Sequence, residues 1–271
     1  MHLFTKSFIV GAISALPCSV SDWHEPTSPI VHGYQLQHLQ VPSQENVKLR
    51  VAATCPAEMV EVDGMYCPNV AQECLQWINP TAKVKRMCAK FAPSKCLSKE
   101  RIHMHYCMDK YEGQDKKGEL PRVEINWWEA KQACEDNGKR LCNEDEFTFA
   151  CEGENMKAYP YGDGTTRDDT ACNAGKIWHD PMKHEKELDQ RAPSGAYERC
   201  VSPLGINDIV ANTDEWIYNT RGSFHKSPWV SGLMGGHWVR GVRNRCRAIT
   251  PTHDMSTRFY EISYRCCSDV K

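Results

Sequence analysis

Asn126-Trp-Trp-Glu-Ala-Lys-Gln-Ala-Cys-Glu-Asp-Asn-Gly138, followed at once by Lys139-Arg-Leu-Cys-Asn-Glu-Asp-Glu-Phe147, carries the two clear helical signals of this chain. Trp127, Ala130, Ala133 and Cys134 recur at three- and four-residue steps, the spacing of one helical face, and the pattern stops at Gly138. Asn143 with Glu146 three positions on is the residue pair of a capping box, in which each side chain bonds the other residue's backbone N–H. It predicts a second helix through Phe147 and Ala150 toward Gly153.

Working outward, the chain on either side is irregular. From Cys55 to Cys107 it is dense in cysteine and short of long periodic runs, which predicts loops and short strands pinned by bridges. Met59-Val-Glu-Val62 before Asp63-Gly64 reads as a strand entering a tight turn. Beyond Gly153, Gly, Pro, Asn and Asp recur every few residues and predict scattered short strands. The 271 residues, 41% hydrophobic and 25% charged, suffice for one large core or two modest ones. With 33 basic against 35 acidic residues there is no bulk field to attract nucleic acid, which is not an expected partner.

Fifteen cysteines point to an oxidising compartment. No two stand two to four residues apart, the spacing of paired zinc ligands. Lys6 ahead of the apolar run from Phe8 to Leu16, too short for a bilayer core of ~30 Å, predicts a signal peptide over 1–21. Cleavage before Asp22 removes Cys18 and leaves an even number for pairing. A lipid anchor at Cys18 is the rival reading, with Pro17 against it. Residues 22–56 read as a polar, proline-bearing linker, and 57–270 as the folded domain, with a Cys-rich N-terminal part over 67–107. No later stretch approaches the ~20 apolar residues of a membrane span. The expected location is secreted, or periplasmic and cell-envelope.

Several ordered motifs then carry a family resemblance. Met59-Val-Glu-Val-Asp-Gly64 and Met108-Asp-Lys-Tyr-Glu112 resemble the early strands of the sulfatase-modifying-factor (formylglycine-generating enzyme) family, and Pro121 to Lys139 its first helix. Arg140-Leu-Cys-Asn-Glu-Asp-Glu-Phe147 is similar to its R-L-P-T-E-A-E-W signature, and Tyr159-Pro-Tyr-Gly162 to its Y-P-W-G. Gly205-Ile-Asn-Asp-Ile-Val-Ala-Asn-Thr-Asp-Glu-Trp216 matches G-L-Y-D-M-x-G-N-V-W-E-W without a gap, and Gly235-Gly236 and Tyr264-Arg-Cys266 match the later G-G and F-R-C. The resemblance implies a compact α+β, C-type-lectin-like fold with little regular secondary structure, and two bridges, Cys134 with Cys266 and Cys151 with Cys246. The pairing of the other ten cysteines stays open.

Active members of that family oxidise a protein cysteine to formylglycine with copper(I) held by two thiolates in G-G-S-x-x-C-H-x-S-Y-C. The matching run here is Gly235-Gly-His-Trp-Val-Arg-Gly-Val-Arg-Asn-Arg-Cys246; counted forward from Gly235 it puts Arg240 and Arg245 at the thiolate positions and His237 at the serine, and if Cys246 is instead aligned with the family's later structural cysteine the loop is a few residues shorter and the pair is absent. A guanidinium stays protonated and cannot ligate copper(I), so copper is not expected. The G-N-V-W-E-W match implies a structural calcium at Asn212, the carbonyl of Thr213 and Glu215, with Asn173 as a weaker candidate for another. His103 and His105 alternate on one strand face, and His225, His237 and His253 lie near the changed loop. Without partner carboxylates at helical spacing, these read as surface histidines.

The function expected is a ligand-binding module for a glycan, peptide or protein, with a groove lined by His237, Arg240, Arg243, Arg245 and Arg247 for an anionic group, and with Trp229 and Trp238 available to stack. The alternative is an oxidoreductase of the same family acting on protein cysteine through a changed centre.

Overall fold

The computed structural model describes residues 54–83, 86–113, 116–179, 183, 188–222 and 226–271, all within the unit Val51–Lys271. The expected signal peptide, Cys18, His225 and the linker up to residue 53 lie outside the described residues. In chain order the elements are β1 (Met59–Tyr66), β2 (Val70–Ala71), β3 (Cys74–Trp77), β4 (Cys88–Phe91), β5 (Lys95–Cys96), β6 (Ile102–Asp109), α1 (Trp127–Glu135), β7 (Arg140–Leu141), α2 (Glu144–Glu152), β8 (Asp214–Tyr218), β9 (Ser231–Met234), β10 (Ile249–Thr250), β11 (Ile262–Tyr264) and β12 (Cys266–Asp269). This is a disulfide-rich α+β fold, mostly sheet with two short helices among the described residues.

β1 and β6 form the longest ladder, antiparallel, with Met59 opposite Asp109 and Tyr66 opposite Ile102. Together with β12 and β7 they make a sheet in the order β1-β6-β12-β7, and a second sheet has the order β10-β9-β8-β11, where β11 runs parallel to β8. The turn expected at Asp63-Gly64 does not form. Both residues stay in the ladder, Gly64 opposite Met104, and a Cβ on Gly64 would stand 2.9 Å from the Glu154 carboxylate and 3.0 Å from the Phe149 ring. Glycine serves close packing there rather than a change of direction.

Both helices begin on capping boxes. Asn126 pairs with Glu129 at the start of α1, and Asn143 with Glu146 at the start of α2, which ends at Gly153 with φ 61°. Their inward faces feed two buried clusters. One holds Phe147, Phe149, Tyr159, Ile206, Ile209 and Met234, and the other holds Trp127, Leu141, Trp216, Leu233 and Ile262. The two indoles of the second cluster bond reciprocally into each other's segments: Trp127 Nε1 donates to the Ile217 carbonyl at 3.1 Å and Trp216 Nε1 to the Ile125 carbonyl at 2.9 Å. Buried indole N–H groups need such partners.

All fourteen described cysteines are paired, as Cys55–Cys107, Cys67–Cys96, Cys74–Cys88, Cys134–Cys266, Cys142–Cys267, Cys151–Cys246 and Cys172–Cys200. Cys266 and Cys267 are successive strand residues, so their side chains leave β12 on opposite faces, one to Cys134 of α1 and the other to Cys142 ahead of α2. The two-stranded ladders β2-β5 and β3-β4 are too short to persist alone. Cys67–Cys96 and Cys74–Cys88 hold them together.

Candidate functional site

A cleft of about 410 Å³ opens between these stapled ladders and the chain around residues 242–247. Trp77 of β3, Phe91 of β4 and Tyr159 form aromatic walls, and four arginines, Arg86, Arg167, Arg245 and Arg247, reach its surface. Two of the four are committed to structure. Arg247 clamps buried Glu152 with its Nε 2.6 Å from one carboxylate oxygen, and donates to the Cys67 carbonyl at 2.6 Å and the Pro68 carbonyl at 3.0 Å. Arg167 pairs with Asp169 at 2.6 Å and donates to the Gly241 carbonyl at 2.8 Å.

The other two are not. Arg245 donates to Gln72 Oε1 at 3.1 Å and lies 5.8 Å from the Phe91 ring centre, and the guanidinium of Arg86 lies 3.9 Å over the Trp77 ring. Among the described residues neither pairs with a carboxylate. Burial lowers the pKa of Arg245, and the neighbouring charge of Arg247 adds to the effect. A guanidinium still does not lose its proton, so the cleft carries a cation with unmet demand for an anion.

Of the residues expected to share one groove, Arg245 and Arg247 line this cleft, and His237, Arg240 and Arg243 do not. Asn244 anchors a turn, accepting from Gly241 N at 2.7 Å and donating to the His237 carbonyl at 2.7 Å, and its neighbours diverge. Arg240 pairs with Asp169 at 2.6 Å, while Arg243 turns to Asp214. His237 is partly buried near Asp214 and Arg243, and burial lowers its pKa. In the same region burial, with Asp214 nearby, pushes Glu261 up to about 7. Trp238 is wholly buried, its ring 5.9 Å from that of Tyr260, so it offers no stacking face; Trp229 is partly exposed.

The side chains expected to bind calcium, Asn212 and Glu215, are already engaged. Glu215 is held through both carboxylate oxygens by Arg265 at 2.8 Å, with neither side chain exposed. Asn212 Oδ1 accepts from Asn173 Nδ2 and Ala192 N, each at 2.8 Å, while its amide nitrogen and the Thr213 hydroxyl bond to Glu112. A guanidinium thus supplies the positive charge next to Glu215, and this donor set does not fit a calcium ion there. Burial raises Glu112 and Glu215 and takes Asp208 to about 6. Cys142, Glu146 and Cys267 also come together, but the two sulfurs are bonded to each other and cannot ligate. His103 and His105 do share a face of β6, each 2.7 Å from a carboxylate of β1, Asp63 and Glu61 respectively.

Sequence reading missed Arg86, Trp77, Gln72, Phe91 and Arg167 as neighbours of Arg245. Their proximity depends on the bridges of the Cys-rich part, whose pattern spacing alone leaves open. The only cysteine in the run Gly235–Cys246 is bonded to Cys151, so no thiolate pair stands at the position where copper(I) is held in active family members.

Comparison with known proteins bears on the same point. Residues 32–269 match the model of the sulfatase-modifying factor enzyme 1-like domain. The chain is 27% identical over 164 residues to an inactive C-alpha-formylglycine-generating enzyme 2 of Bos taurus, covering 58% of this chain and 52% of that protein, and 27% identical over 166 residues to its Mus musculus counterpart, again covering 58% and 52%. It therefore spans about half the length of these curated relatives. Among solved structures, PvdO from Pseudomonas aeruginosa is similar with a TM-score of 0.50 at 14% identity, covering 80% of this chain and 96% of that one. CarF is similar with a TM-score of 0.53 at 12% identity, covering 80% and 99%. At such identities these two likenesses speak for the fold alone.

Proposed function

Given that the chain belongs to the sulfatase-modifying factor enzyme 1-like domain family, we propose that it is an exported binding module that has given up formylglycine generation and recognises an anionic group on a glycan or peptide through the arginine cleft. The observation that carries this reading is Arg245, a cation facing a cleft with no carboxylate partner among the described residues. Guanidinium groups bind carboxylate, sulfate and phosphate through paired N–H donors, and do so more strongly where water is partly excluded.

Two further observations support it. Every described cysteine is in a disulfide, which leaves no described thiol for copper(I) or for thiol redox chemistry, and the curated relatives are themselves named as inactive. Seven bridges suit an oxidising compartment, and no described helix is long and apolar enough to cross a membrane.

The test is a glycan and peptide binding screen with the purified, oxidised full chain, repeated with Arg245→Glu. An anionic ligand should be retained by the parent protein and lost by the variant. Arg258→Glu, at a surface pair with Glu129, serves as the charge control. A ligand that binds both variants as it binds the parent places recognition outside the cleft.

A further inference from the structure

The disposition of charge in the cleft narrows the ligand. Resting on the binding-module reading, we propose that the group it takes is a single tetrahedral oxyanion, a sulfate or phosphate monoester carried on a ring, held jointly by Arg245 and Arg86.

Both guanidiniums are held against aromatic rings at the cleft. Arg86 lies flat enough on Trp77 to bring its central carbon within 3.9 Å of the ring centre, and Arg245 is braced by Gln72 and the face of Phe91. A guanidinium stacked on an aromatic face keeps its N–H edge free, and that edge is where oxyanions bind. A carboxylate has two oxygens in one plane, which one guanidinium fork satisfies. A monoester has three terminal oxygens directed along different axes, so two separate guanidiniums can each take a share.

The remaining charges set the number of anions. Glu152 pairs with Arg247, and Asp169 with both Arg167 and Arg240, while Arg245 and Arg86 have no carboxylate partner among the described residues. This balance suits one ester of one or two negative charges. Phe91, Tyr159 and the aliphatic side chains of Val70 and Val242 supply apolar walls on which the ring carrying the ester packs, and about 410 Å³ admits a ring of six atoms with its ester group.

Isothermal titration of the oxidised full chain with phenyl sulfate, phenyl phosphate and benzoate, at low salt, separates the outcomes. At least one ester should bind, at least about tenfold more tightly than benzoate, and lose about tenfold in affinity in Arg245→Gln and in Arg86→Gln. Arg86 is exposed, so its variant keeps the test open should Arg245→Gln fold poorly. Binding of the sulfate ester alone or the phosphate ester alone identifies the source of the oxyanion, and either result supports the proposal. Failure of both esters, equal binding of benzoate, or affinity unchanged in both variants overturns it. If benzoate binds in an Arg245-dependent way while both esters fail, the ester proposal falls and the binding-module reading stands. If every ligand found binds independently of Arg245, both fall.

Discussion

Arg265 grips both carboxylate oxygens of Glu215 at 2.8 Å, and neither side chain has any exposed surface. The guanidinium also donates to the main-chain carbonyls of Asp109 and Asn207, each at 3.0 Å, so from the link between β11 and β12 it joins β6, β8 and the loop before β8. Removing one partner of a buried, fully bonded pair leaves the other charge unpaired in a low dielectric. Arg265→Met should therefore destabilise the fold by about 3–5 kcal/mol in denaturant unfolding with the disulfides intact. A loss under about 1 kcal/mol would mean that the pair is not carrying this junction.

The same pair predicts the response to calcium. An ion bound at a hundred times its dissociation constant would add about 2.7 kcal/mol to stability. With Glu215 held by Arg265 and Asn212 bonded to Asn173 and Ala192, no such gain is expected. Thermal unfolding in millimolar calcium and in excess chelator should coincide. A calcium-dependent rise of several degrees, lost in Glu215→Gln, would contradict the assignment.

Stability should fall as pH rises across neutrality. Burial is the main cause that pushes Glu152 and Glu261 up to about 7 and Asp208 to about 6. A carboxyl group whose pKa is higher folded than unfolded contributes stability that is fully present below its unfolded value and lost as pH rises through the folded one. Asp163 acts in the opposite sense: backbone N–H groups of Thr165 and Thr166 hold it at about 2, so its contribution is present above the unfolded value and lost as pH falls toward 2. The melting temperature should peak near pH 4 to 5 and stand roughly 5 °C lower at pH 8. Glu152→Gln should flatten the decline. A melting temperature that climbs from pH 5 to pH 8 would contradict these assignments.

The bridges divide into those that hold the core and those that shape the cleft. Cys134–Cys266 spans 132 residues and Cys74–Cys88 only 14. Chain-entropy reasoning gives ~5 kcal/mol for the long loop and ~3 kcal/mol for the short one. Replacing both cysteines by alanine at positions 134 and 266 should lower global stability the more. Doing so at 74 and 88 should leave most of that stability and weaken ligand binding, because both residues of that bridge line the cleft. Unfolding and titration on the two double variants check the division. Equal effects of both on binding would remove the structural role given to the short bridge.

What could be read from sequence follows from how local each signal is. The capping box at Asn143 and the helical stripe after Asn126 use residues three or four apart, and both helices form where those residues stand. The family motifs are ordered along the chain and led to the fold class. Gly64 misled, because a glycine after Asp is also a turn signal, and only the approach of Glu154 and Phe149 from far along the chain explains it. The cleft is less local still. Arg245 was legible as one arginine of a changed loop, but Arg86, Trp77 and Gln72 reach it only through ladders fixed by Cys67–Cys96 and Cys74–Cys88. The divergence of Arg243 from Arg245 depends on the Asn244 turn, which no periodicity marks.

The most direct test of catalysis given up in favour of binding is an aldehyde assay. The purified, oxidised protein is incubated with copper(I), oxygen and a sulfatase-type cysteine peptide, and the peptide is followed by mass spectrometry and aldehyde capture. The run from Gly235 to Cys246 holds no cysteine but Cys246, which is bonded to Cys151, so the peptide should keep its thiol and yield no aldehyde. Copper-dependent conversion of the cysteine to formylglycine, above a control without protein, would contradict the account.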